Sequence, residues 1–395
     1  MGKLTAMDRF DFIVIGGGMM GGPCARYLAE AGHSVALVAA PEPADWRRHR
    51  GPFGSHFDAA RITRRVDADG DWALASQRSI ARYRDLEARS RQAIFHEVGA
   101  VMAGLHHGAR AQETERFTTL ARALDDPPEV LDAAGLHGAT GLAVPPGSAA
   151  TYERHGGGWM APRAMRAAQQ GLAQAAGAVC FPTHATSRTG GAVALADGTQ
   201  ISGGHVVVAT GPHAAMDGLL PERPDITVWA RTIAFARLGT AEAARLAHMP
   251  SVIWTPEGWD YGLYLLPPVR YPDGHMYLKI GGEKDGPILE TQADMRAWFA
   301  GDADAGVGRA LLAEMARILP GLRPEATCTG PCAVTWTRTG HPYIARLSED
   351  VSVLIGGNGA AAKSGDELGR LGSIVAMGGD LGEEGYAQGF DVVWA

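Results

Sequence analysis

The sequence predicts an α/β fold in which a Rossmann-type nucleotide-binding domain is interleaved with an antiparallel-sheet domain. Three observations predict it. A short apolar run at residues 10–15 leads directly into Gly16-Gly17-Gly18-Met19-Met20-Gly21, then a helical stretch and a second apolar run, the order strand, turn, helix, strand. Nucleotide-type segments of similar character return in the middle and near the end of the chain. Between them lie alternating runs rich in aromatic and branched residues, broken by turn chemistry, as in an antiparallel sheet. A chain of 395 residues has room for two or three domains, and 46% hydrophobic with 20% charged residues is the composition of a folded protein.

Each element has its own justification. Residues 10–15 (FDFIVI) read as a buried parallel strand. Gly16 permits the tight turn, Gly18 lets a pyrophosphate lie against bare backbone at the helix N-terminus, and Gly21 allows close helix packing. The helix over 23–31 stops at Gly32, and residues 34–39 (SVALVA) form the second strand. Such a strand usually ends in an acid that binds the ribose hydroxyls; this one ends Val38-Ala39-Ala40-Pro41. Glu42 is then the nearest acid for the ribose, or the run Arg47-Arg48-His49-Arg50 meets a 2′-phosphate, or that run is a solvated loop. Residues 71–87 have amphipathic helical spacing, and residues 164–176 are Ala-rich and helical. From 179 to 210 the pattern is strand-like with a turn at Asp197-Gly198, and Thr210-Gly211-Pro212 is a second place for backbone to touch a nucleotide. Residues 228–237, 251–255, 261–266 and 275–281 form the sheet region, followed by helices over 291–300 and 307–318. The chain closes with strand candidates at 335–336 and 351–355, Gly356-Gly357-Asn358-Gly359, and a helix from about Ser364.

Composition also excludes. A net charge of −7 offers no basic footprint for nucleic acid. Four cysteines are too few for a disulfide framework and point to a reducing compartment, with the cytoplasm as the default. The N-terminus shows no signal-peptide pattern, and no stretch approaches the ~20 apolar residues of a membrane span. His106-His107 reads as solvated rather than metal-bound, so no metal is expected, and neither a Gly-x-Ser-x-Gly elbow nor a P-loop lysine is present.

The Gly16–Gly21 turn, Gly54-Ser55-His56 through Ala60-Arg61-Ile62-Thr63-Arg64, and Ala209-Thr210-Gly211 are followed by Tyr261-Gly262 and Leu278-Lys279-Ile280-Gly281. Cys332 with Thr335, and Gly356-Gly357 with Lys363, complete the series. In this order the motifs resemble the FAD-dependent D-amino-acid oxidase superfamily, and within it the monomeric sarcosine oxidase and N-methyl amino acid oxidase branch. The resemblance spans residues 10 to about 370. It implies an FAD-binding domain made of residues 1–90, 155–215 and 320–395 and a substrate domain made of 91–154 and 216–319. It further implies oxidation of an amino-acid amine to an imine by hydride transfer to flavin N5, hydrolysis of the imine, and reduction of oxygen to peroxide.

The same resemblance assigns residues. Arg64 and Lys363 match the cations that hold the substrate carboxylate, a task suited to a planar fork beside a point charge; Arg64 reads otherwise as a surface member of the Arg61/Arg64/Arg65 cluster. Arg61 matches a cation near the flavin ring, Tyr261 a catalytic position, and Lys279 the lysine that assists oxygen activation. By alternation alone Lys279 is a strand-exposed lysine. Cys332 matches a covalent flavin attachment point; the competing readings are a buried free thiol and a dithiol with Cys328. Cofactor contacts fall on Gly16, Gly18, Met19, Met20, Gly21, Glu42, Ser55, Arg61, Thr210, Gly211, Cys332, Gly357, Asn358, Gly359 and Lys363. Glu283, a substrate-binding position where the sarcosine oxidases have histidine, would repel a simple carboxylate substrate and welcome a second cationic group; Val334 stands where an aromatic residue is common, and 358–362 lack the family's histidine and aromatic residue, so the pocket is not built for sarcosine itself. A dehydrogenase passing electrons to a carrier or quinone, a flavin-binding subunit without amine chemistry, and an NADP enzyme are the alternatives.

Overall fold

The computed structural model describes residues 9–259, 262–282 and 286–395. Two eight-stranded sheets organise them. The first is built on β1 (Arg9–Ile15), parallel to β2 (Val35–Val38) on one side and to the strand Gln200–Val208 on the other, with Ile13 opposite Ala36 and Val14 opposite Val207. Val351–Ile355 adds in parallel to Gln200–Val208. Val35–Val38 and Val351–Ile355 are buried at every residue, the condition of parallel strands covered on both faces, and this is why all their residues but Ser352 are apolar.

Helix α1 (Gly21–Glu30) packs with the helices Pro162–Ala175 and Ala361–Ala376 over one face of this sheet, where Cys24, Leu28, Ala173, Leu368 and Leu371 meet. A buried polar seam between them is saturated: Asp366 accepts from Arg26 (2.8 Å), Arg82 (2.6 Å) and Gln169 (2.8 Å). A buried carboxylate is tolerated only with such partners.

The second sheet runs Ala326–Thr337, Ile226–Leu238, Met276–Gly281, Leu263–Arg270, Ser251–Thr255, Ala100–Leu105, Ser148–Glu153 and Glu129–Asp132. Its pairs are antiparallel except Ser251–Thr255 with Ala100–Leu105. A small third sheet pairs Arg61–Thr63 with Gly158–Met160, which also pairs with Phe95–His96. His96 stacks on Trp159 within it at 3.7 Å, joining Phe95–His96 to the strand that pairs with Arg61–Thr63.

Two elements differ from the sequence reading. The helix expected over 71–87 is two helices, Gly70–Ala81 and Tyr83–Ser90, because at Arg82 the backbone N–H turns to Ser79 O while the guanidinium binds Asp366 and Glu367. The two-residue strand at 335–336 is twelve residues, Ala326–Thr337, paired along Ile226–Leu238 from Ala326 opposite Arg237 to Thr337 opposite Ile226. Gly330 and Pro331 hid it. An edge strand tolerates both, and this strand lies at the sheet's edge. It therefore belongs to the second sheet. Pro267 and Pro268 are likewise accommodated, by a register shift between Leu266 and Val269. No helix among the described residues is long and apolar enough to cross a membrane.

Candidate active site

A cavity of about 940 Å³ opens between the glycine turn of the first sheet and the strands Ile226–Leu238 and Ala326–Thr337 of the second. Of the residues expected at a cofactor, all but Gly21 and Glu42 line it. The turn is shaped by contact. Gly16 has φ +110°, and a Cβ on Gly21 would lie 1.9 Å from the Gly16 carbonyl, so Gly21 brings helix and turn together instead of facing the cavity. A Cβ on Gly18 would meet only His56 Nδ1, at 3.7 Å. Glu42 does not reach into the cavity because Arg163 holds it, Nε donating to Oε1 at 2.8 Å and Oε2 at 2.7 Å; Arg163 itself lines the wall. In the basic run Arg47 pairs with Asp302 and Arg48 with Asp45, while Arg50 lines the cavity.

One wall carries a buried charge cluster. Lys279, 1% exposed, donates to Asp58 Oδ2 at 2.5 Å and to Ala60 O at 2.7 Å. Arg61 Nη1 lies 3.1 Å from the same Asp58 oxygen, while Tyr271 Oη (3.0 Å) and the Ala59 N–H (2.7 Å) donate to Oδ1. Asp58, Arg61 and Tyr271 line the cavity, and Cys332 is near enough to act electrostatically on both cations. Burial pulls the Lys279 ammonium down to about 8, with Asp58 opposing the fall. Burial pushes Asp58 up, but Lys279 and Arg61 outweigh it and hold the carboxyl well below its ordinary range. The strand-exposed reading of Lys279 is thereby corrected: its alternation faces the ammonium inward, to an acid contributed by a distant loop.

A second cluster is formed by Arg64, Asp67 and Lys363. Arg64 Nη2 and Lys363 Nζ both contact Asp67 Oδ2, at 2.9 and 2.8 Å, and Lys363 also donates to Trp72 O at 3.3 Å. Arg64 and Lys363 line the cavity, and Arg64 Nε is buried without a hydrogen-bond partner. The surface reading of Arg64 is corrected too, since its side chain is 14% exposed. Burial lowers Lys363, opposed by Asp67; burial raises Asp67, but Lys363 and Arg64 bring it down to about 2.

His56, 6% exposed, lines the cavity beside the glycine turn with neither ring nitrogen hydrogen-bonded. Burial, reinforced by Arg166, Arg163 and Arg61, lowers it to about 3, so the imidazole is neutral and offers one donor and one acceptor. Cys332 and Cys328 are both free thiols in one strand of unbroken register, so Gly330-Pro331 does not fold them together. Tyr261 and Glu283 lie outside the described residues. The sequence reading gave no role to Asp58, Asp67, His56 or Tyr271. Two acids beside Arg61 and Arg64 were the available signal for the first two.

The family model described as FAD dependent oxidoreductase matches residues 11–373. The chain belongs to that family, and FAD is its cofactor. It is 25% identical over 380 residues to the N-methyl-L-tryptophan oxidase of Yersinia pestis (strain Pestoides F), covering 93% of this chain and 95% of the relative. Among solved structures it is similar to NikD, described as an unusual amino acid oxidase essential for nikkomycin biosynthesis, with TM-score 0.73, 22% identity and 98% of each chain covered. It is also similar to glycine oxidase from Geobacillus kaustophilus, with TM-score 0.70, 18% identity, and 98% of this chain and 99% of that one covered.

The residues present fit the cofactor. A glycine turn that opens at Gly18, the N-terminus of α1 behind it, and an orphaned buried imidazole are what a pyrophosphate-bearing dinucleotide would complete.

Proposed function

We propose that the protein oxidises the C–N bond of an amino acid carrying a secondary or primary amine, with oxygen as acceptor and hydrogen peroxide as product. The observation that carries this reading is the cavity wall itself, where a largely buried Arg64 and a buried Lys363 meet at Asp67, with Arg64 Nε left unpartnered. FAD, when bound, supplies the two-electron acceptor for the amine. Gly18, the first turn of α1 and His56 would hold it, and Cys332, a free thiol on the wall, would carry it covalently. Arg64 and Lys363 bind the substrate carboxylate and so orient the amine-bearing carbon. Arg61 and Lys279 place positive charge at the first cluster, where it stabilises negative charge developing on oxygen in a water-poor site. Likeness to an N-methyl-L-tryptophan oxidase supports an N-substituted amino acid.

A second reading, electron transfer to a carrier or quinone, is favoured by one observation: Asp58 sits on Lys279 and offsets the charge that oxygen would use. Anaerobic mixing of FAD-loaded protein with N-methyl and free amino acids, followed by flavin absorbance, tests the substrate class. Rapid bleaching by a carboxylate-bearing amine is expected, with binding about 2 kcal/mol weaker in Arg64→Ala. Bleaching only by amines without a carboxylate refutes it.

A further inference from the structure

Two cations and one carboxylate meet at a single oxygen in the second cluster. Arg64 and Lys363 line the cavity, whereas Asp67 is not among its lining residues and is 15% exposed at its side chain. Without a ligand the cluster carries one net positive charge. Its two cations, both residues of the cavity lining, keep donors unused: Arg64 Nε is buried and unpartnered, and Lys363 has bonds to Asp67 and Trp72 O with a third proton left. A carboxylate bound there would sit across two cations from Asp67, and the four groups together would be neutral.

We infer that Asp67 is a specificity-determining counter-charge. Acting through Arg64 and Lys363, it sets the pocket to be neutral when one carboxylate is bound and limits how tightly that carboxylate is held. The inference rests on the proposed binding of the substrate carboxylate by Arg64 and Lys363. Removing Asp67's charge while keeping its shape strengthens carboxylate binding, because a like charge flanking the same cations is lost. Preserving Asp67 keeps both cations charged in a buried site.

The groups facing Lys363 give this a pH signature. They are Asp67 and Arg64 from the loop after Arg61–Thr63 and Glu153 from the strand Ser148–Glu153, with Tyr83 Oη on the Lys363 carbonyl. Glu153 is itself paired with Arg65 at 3.2 Å. In Asp67→Asn, burial and Arg64 act on Lys363 without their main opposition, so its ammonium is lost at a lower pH than in the wild type.

The test is isothermal titration of propionate into FAD-loaded wild type, Asp67→Asn, Lys363→Met, Arg64→Ala and the double variant Asp67→Asn/Lys363→Met from pH 6.5 to 9. Asp67→Asn should bind propionate roughly tenfold tighter at pH 6.5, with the advantage shrinking as pH rises. Lys363→Met leaves Arg64 and Asp67 at zero net charge and should bind weakly. The double variant restores one net positive charge and should bind roughly tenfold tighter than Lys363→Met alone, a comparison that holds even where the single Asp67→Asn variant does not fold. A double variant no tighter than Lys363→Met overturns the inference, as does an Asp67→Asn variant that binds propionate as the wild type does or more weakly across the range. If Arg64→Ala and Lys363→Met both bind propionate as the wild type does, it is the carboxylate site itself that is refuted.

Discussion

Replacing Lys279 with Met tests the oxygen half of the proposed reaction at its most buried residue. The side chain is 1% exposed and its ammonium makes a 2.5 Å bond to Asp58. Removing one partner of a buried pair typically costs about 3–5 kcal/mol. Here Arg61, Tyr271 and the Ala59 amide still satisfy Asp58, so the low end, about 3 kcal/mol, is expected at neutral pH. Denaturant unfolding of the FAD-loaded protein reads it. The pH dependence has a definite sign. The folded protein sheds the Lys279 proton near 8 and the unfolded chain near 10.5, so the unfolded state binds more protons in between and wild-type stability gains from this group as pH rises through that window. Lys279→Met lacks that gain.

In stopped-flow measurements the amine half-reaction under anaerobic conditions should stay within about tenfold of wild type, since a cation at 279 is not needed to align substrate. The oxygen half-reaction should slow by two to three orders of magnitude, the equivalent of about 3–4 kcal/mol of lost charge stabilisation. In the wild type it should fall as pH rises through about 8, where the ammonium is lost, and the variant should show no such inflection. Unchanged oxygen kinetics with the predicted loss of stability would refute the reasoning. Lys279 would then be the anchor of Asp58, and a carrier would be the better acceptor.

Other outcomes follow from the same wall. Asp58→Asn removes the acid that supports the Lys279 charge, so the pH inflection of the oxygen step should move below that of wild type, read by the same stopped-flow titration. With Cys332→Ser, acid precipitation should release all yellow colour to the supernatant while wild type retains it in the pellet; release from both shows that the flavin is not covalently held.

The order of elements around β1 was legible because its signals are local: an apolar run buried on both faces, glycines forced by a φ of +110° at Gly16 and a 1.9 Å approach at Gly21, and helix-stopping residues at fixed offsets. The same is true of Lys279, Arg61, Arg64 and Lys363 as candidates, since each stands in a quotable motif. Their partners were not legible. Asp58 and Asp67 carry no motif of their own, and their role comes from which cations reach them: Lys279 from Met276–Gly281 and Lys363 from Ala361–Ala376. Strand Ala326–Thr337 was hidden for a related reason. Gly330 and Pro331 weaken its local propensity, and only pairing along Ile226–Leu238 at a sheet edge supplies the stabilisation that makes it a strand. Sequence by itself determined the nucleotide-binding unit and the residues able to do chemistry, because backbone sterics and hydrophobic periodicity act over a few positions. Tertiary structure alone decided which charges are buried together and in what balance, because Coulombic interaction depends on distance in space and on the solvent excluded around it.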